Sequence, residues 1–170
     1  SEEKLMDSLL NLSKKLSEIK DCQIVIYMIL ASIADDNEIK TIESKNISAI
    51  VYLIKQITDK LDEKNKKPVE RMAIQLNLDD IEHTQVASVL YKEKKWHLIE
   101  LLMALHNMAI NDEIKYKMYD DYGLGICLKT IVYKGNEIEM EYALKLLHQL
   151  CFEKKVAEDV KKDQNFENYI

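Results

Sequence analysis

The sequence predicts an all-α fold: an α-solenoid of about three to four stacked repeat units, forming one domain over residues 1–170. Two observations carry this expectation and a third agrees with it. First, three stretches fall on one template: Leu30-Ala-Ser-Ile-Ala-Asp-Asp-Asn-Glu-Ile39-Lys40, Leu105-His-Asn-Met-Ala-Ile-Asn-Asp-Glu-Ile114-Lys115 and Leu147-His-Gln-Leu-Cys-Phe-Glu-Lys-Lys-Val156-Ala157. Their leading leucines lie 75 and then 42 residues apart. A spacing of roughly 40 belongs to helical repeat units, which bury their apolar faces only by stacking. Second, apolar residues recur at i, i+1, i+4, i+7 and i+8 in each unit. They are Ile26, Tyr27, Leu30, Ile33 and Ala34; Leu101, Leu102, Leu105, Met108 and Ala109; and Ala143, Leu144, Leu147, Leu150 and Cys151. These positions share one face at 3.6 residues per turn. Third, three glycines and one proline leave few sites for tight turns, which favours helices joined by short connections.

Each face helix is followed by a polar connection and a second, short helix, predicted at 38–44, 112–121 and 154–162. A breaker comes next: Asn46, Gly123 or Asn165, residue types that tolerate a left-handed stop. A third helix then starts near Ile47, Leu124 or Phe166. The first of these carries an apolar stripe of Ile47, Ile50, Val51, Ile54, Ile57 and Leu61. The 75-residue interval holds an irregular unit at about 62–95. There a polar linker at 64–67 and Pro68 lead into a predicted helix over 69–78. Met72, Ala73, Leu76 and Asn77 take its repeat positions, and a reduced helix falls within 79–94. With no initiator Met and a last helix cut at Ile170, the sequence reads as a fragment of a longer protein.

A net charge of −6 disfavours nucleic acid and anionic membranes as partners, since both select a positive surface. No apolar run approaches the roughly 20 residues that span a bilayer, and no signal peptide begins the chain. Three cysteines without a Cys-x-x-Cys spacing suit a reduced, cytoplasmic setting.

Three helices per unit, the 42-residue spacing and the Leu-x-Asn-x-Ala core at Leu105–Ala109 resemble the armadillo repeat. The resemblance covers most of the chain, is closest over 96–170 and weakest over 62–95. It implies a right-handed superhelix whose concave face binds proteins or peptides. More narrowly, Gly135-Asn-Glu-Ile-Glu-Met-Glu-Tyr-Ala-Leu-Lys-Leu-Leu-His-Gln-Leu-Cys-Phe152 is similar to a segment upstream of the TIR domain in invertebrate armadillo–TIR proteins. That likeness implies control of an attached effector domain; these residues contain no TIR domain. In peptide-binding armadillo proteins an Asn on each unit's third helix reaches the peptide backbone, and a Trp four residues earlier packs on its side chains. Asn107 and Asn77 match the Asn position, whereas Ser32 and Gln149 replace it elsewhere. The Trp position holds Met28, Met103 and Lys145, so importin-like pockets for basic peptides are missing.

The expected function is therefore a protein-interaction or regulatory scaffold, with no catalytic role and no cofactor. The partner would be a protein, a peptide or a domain of the same polypeptide, with self-association as a further outcome. The candidate contacts are Asn107, His106, Gln149, His148, Lys145 and Met103. Asn107 and Gln149 both donate and accept, which matches a peptide backbone; the plainer alternative is bonding to neighbouring helices. His106 and His148 share a repeat position, but zinc needs about four ligands and Cys151 is the one cysteine nearby. Cys127 and Cys151 lie in apolar stripes, as inert thiols do, and Cys22 has no activating neighbour in sequence. Gly123-Leu-Gly125 lacks the third glycine of a dinucleotide loop. The alternative function is a metabolite-sensing regulatory domain contacting its ligand through Arg71, the sole arginine, with Lys145, His106 and Trp96.

Overall fold

Six α-helices and a small antiparallel sheet share one apolar core in the computed structural model, which describes residues 11, 44–62, 69–74, 84–91 and 93–163. In chain order the elements are α1 (Ser44–Asp62), β1 (Arg71–Ile74), β2 (Thr84–Tyr91), β3 (Lys94–His97), α2 (Leu98–Met108), α3 (Asp112–Tyr116), α4 (Leu124–Lys134), α5 (Glu137–Leu150) and α6 (Lys154–Lys162). A π-helical turn, Lys117–Asp121, extends α3. The predicted helix carrying Leu30, the short helix at 38–43, Asn77, Asn165 and Phe166 lie outside the described residues.

α1 forms because its isoleucines recur every three or four residues: Ile47, Ile50, Ile54 and Ile57 are all buried, while Tyr52, Lys55 and Asp59 face outward. Asn46, expected to break the chain, lies inside this helix. Asn costs a helix only about 0.7 kcal/mol relative to Ala, far less than the burial of that stripe returns. Gly123 does break the chain, at φ 74, directly before α4. The short helices fall at 112–121 and 154–162, where the template puts them.

Helices at corresponding positions of the expected template pack on one another: α2 on α5, α3 on α6 and α1 on α4. Side chains about one repeat apart make the joins. Gln149 reaches Ala109 and Tyr119 reaches Asp159, each across 40 residues of sequence. Leu105 and Leu147 are both buried in the common core.

The all-α expectation requires correction. Helices account for 71% of the described residues, but the irregular unit is a three-stranded sheet of order β1-β2-β3. Among the described residues, β1 stands where a helix was expected over 69–78, and β2 lies within the 79–94 interval expected to hold a reduced helix. β1 pairs with β2 in the register Arg71↔Ala87, and β2 pairs with β3 from Ser88↔His97 to Tyr91↔Lys94. Thr84, Val86, Val89 and Tyr91 are the β-branched and aromatic types that suit a pleated surface. Val86 through Val89 are buried without a gap, so both faces of β2 are covered and no alternation marks it as a strand.

Candidate functional site

The six candidate contacts occupy two packed helices as equivalent pairs 42 residues apart: Met103 with Lys145, His106 with His148, Asn107 with Gln149. Met103 is 47% exposed, although large apolar side chains favour burial; Lys145 and His148 are also exposed. His106, Asn107 and Gln149 are half-buried. Gln149 Nε2 donates to the Ala109 carbonyl at 3.4 Å, so it joins the end of α2 to α5. Lys145 pairs with Glu141 one turn back and lies 4.7 Å from the centre of the Tyr142 ring. Its hydrogen bond to Glu141 raises its pKa.

Beyond the end of α5, an aromatic and cationic cluster adjoins these residues. Phe152 is 67% exposed and meets the edge of the His148 ring at a centroid distance of 5.3 Å. The ammonium of Lys115, from the preceding layer, lies 5.3 Å over Phe152, and Lys155 lies 4.9 Å over Tyr116. Lys115 is itself buried and pairs with Asp112. Lys115 and Phe152 both stand in the repeat template, but cation–aromatic pairing between units is invisible to a search along one unit.

The sheet is fastened by a polar clamp that sequence reasoning missed. Glu139, in the first turn of α5, has a fully buried side chain. Arg71 of β1 donates to both its oxygens, from Nε at 3.2 Å and an Nη at 3.1 Å. The Ala87 N–H of β2 donates to Oε1 at 2.6 Å, and the Asn136 N–H donates to Oε2 at 2.8 Å. Asn136 returns the capping bond to the Glu139 N–H, and its amide also donates to the Gln85 carbonyl at 2.7 Å. The helix N-terminus favours the carboxylate there. Gly135 makes room: a Cβ on it would lie 2.6 Å from the Ile131 carbonyl oxygen. The signal was the Asn136-x-x-Glu139 capping signature beside a sole arginine.

A second network joins α4 and α6. The Tyr119 hydroxyl donates to Asp159 at 2.6 Å, and Lys129 pairs with Asp159 and Asp163. The hydrogen bond from Tyr119 holds Asp159 below the usual carboxylate range, while burial pushes the phenol above its own. Gly125 lets the ring approach; a Cβ there would sit 2.7 Å from it.

No protein-family model, curated protein or solved structure matches the chain.

Arg71 is engaged by Glu139 on the sheet, Lys145 by Glu141 on α5. Trp96 is buried beneath the Lys94 ammonium, 3.8 Å from its ring centre, and its indole N–H finds no acceptor among the described residues. Cys127 is buried and Cys151 half-buried, and burial pushes both thiols up, away from the reactive thiolate. Among the described residues, no cluster of three or more His, Cys, Asp or Glu is arranged to hold a metal ion. Among the same residues, no helix is long and apolar enough to cross a membrane.

Proposed function

We propose that this chain is a cytoplasmic protein-interaction scaffold, a right-handed α-solenoid of armadillo-like units interrupted by a sheet. Its working face lies on α2 and α5, without catalysis. The stacking of equivalent helices, with side chains 40 residues apart in contact, is the observation that carries this reading. A repeating stack presents the same positions at regular intervals, which suits an extended partner. Exposed Met103 and Phe152 supply apolar anchors; Lys145, His148, Asn107 and Gln149 supply polar ones. The partner is a protein segment or a domain of the same polypeptide, and a TIR-type effector under its control is the specific form of that proposal.

Charge reversal at the face tests it. Met103→Glu with Lys145→Glu should leave the melting temperature within a few degrees of wild type, since both side chains are exposed. The same variant should lose binding to a protein that the unmodified chain retains. Stabilisation of wild type by a nucleotide-like metabolite, with protein binding unaffected by the double variant, would place the function in ligand sensing instead.

A further inference from the structure

We propose that His97 is a pH-sensitive latch at the junction of the sheet with α2: the neutral imidazole locks the first turn of the helix, and protonation releases it. His97 ends β3 and is the N-cap of α2, with extended backbone at φ −95 and ψ 148. Its Nδ1 accepts from the Glu100 N–H at 3.1 Å, satisfying one of the helix's otherwise unpaired donors. An accepting Nδ1 puts the ring proton on Nε2, which lies 3.5 Å from the Glu100 carboxylate. The imidazole thus spans the turn, accepting at one nitrogen and facing an acceptor at the other.

A second proton must go to Nδ1, where it would confront the Glu100 N–H. Two donors then face each other and the cap is lost. Among the described residues, the charged groups acting on the ring are Glu100 of α2 and Lys94 of β3. Ser88, opposite on β2, carries no charge. Burial of the ring is the largest influence against the charged form; Lys94 adds to it and Glu100 opposes it. The positive end of the α2 dipole also disfavours a cation there.

The net effect lowers the pKa of His97 in the folded chain. The unfolded chain therefore takes up the proton first as pH falls. The latch's contribution is fully present above the ordinary histidine value of about 6.5 and is lost as pH falls from there through the folded value. Loosening would reach the hairpin on one side and, on the other, the helix that carries Met103, His106 and Asn107.

Amide exchange at Glu100 reads the latch directly, and the fluorescence of Trp96, the sole tryptophan, reads the adjoining strand. In wild type, protection of the Glu100 amide, corrected for intrinsic exchange, should fall about fivefold between pH 7.5 and pH 5, as for a lost helix cap. Asn is an equally good cap without a titrating ring, so His97→Asn should keep its protection over that range. His97→Ala should be poorly protected at both pH values. Parallel loss in wild type and His97→Asn would overturn the proposal, because another group would then be titrating. An NMR titration of wild type that finds the His97 ring titrating at or above the ordinary value would overturn it independently of any variant.

Discussion

The α2–α5 pair and the junction of the sheet with α5 belong to the same core but are joined by different means. α2 packs on α5, and both helices bury apolar side chains at corresponding positions, Leu105 and Leu147 among them. Between the sheet and α5, a single carboxylate collects Arg71, a strand N–H and its own helix cap. Apolar stacking is spread over many side chains, so it tolerates conservative exchange within a unit. The clamp is concentrated in one buried carboxylate, so its removal strands the donors that meet there.

Removing that junction should give the largest effect. Glu139→Ala strands the Ala87 and Asn136 N–H groups that share its carboxylate and frees Arg71, which is itself exposed; each buried donor left unpaired costs about 1–3 kcal/mol. Hydrogen exchange should show β1 and β2 losing protection before α3 and α6 do. If strands and helical layers lose protection together, the clamp is part of the stack rather than an attachment to it. Arg71→Ala combined with Glu139→Ala should cost less than the two single changes added, because neither partner is then stranded.

The matching change in the stack is Leu105→Ala, which should cost about 2–5 kcal/mol as a core truncation. Its effect should centre on α2 and α5 and leave the protection of β1 comparatively intact. Chemical denaturation gives the magnitude. A loss below about 1 kcal/mol would mean that the leucine is not part of a close-packed layer.

The contrast also explains which parts could be read from the sequence. Leu101, Leu102, Leu105, Met108 and Ala109 were recognisable because burial on one helix face imposes a period, and all five are buried. Gly123 was recognisable because a left-handed residue before α4 needs a small side chain. β2 was not, since its run from Val86 to Val89 is covered on both sides and carries no alternation to oppose a helical reading. β1 and β3 are four residues long, too short to express any period. Glu139 escaped for a different reason: the Asn136-x-x-Glu139 signature marks a helix cap, but the clamping partners stand 52 and 68 residues away. At the candidate face, spacing placed the six residues on two helices. The exposure of Phe152 and its approach by Lys115 depend on the packing of one unit against the next.

A smaller effect of opposite sign tests how well the insert is adapted. Glu93 in the β2–β3 turn has φ 64, a left-handed conformation that costs a side-chain-bearing residue about 1 kcal/mol. Glu93→Gly should therefore stabilise the chain by up to about 1 kcal/mol, less the entropy that glycine adds to the unfolded state. Thermal unfolding would check the sign. A net loss would mean that the Glu93 side chain makes a contact worth more than its strain.

The smallest change bears on the join between layers and on the proposed face at once. Gln149 is half-buried, and its bond to the Ala109 carbonyl is long at 3.4 Å. A neutral hydrogen bond of ordinary geometry contributes about 0.5–1.5 kcal/mol net, and a stretched one less. Gln149→Ala should therefore cost under about 1 kcal/mol, because the apolar contacts around Leu147 and Leu150 carry the packing of α5. If the amide also serves a partner, affinity should fall while the melting temperature hardly moves. A loss above about 2 kcal/mol would instead make Gln149 a strut between layers. The polar half of the face would then rest on Asn107, His148 and Lys145, and the distinction between distributed apolar stacking and a concentrated polar clamp would no longer separate the two regions.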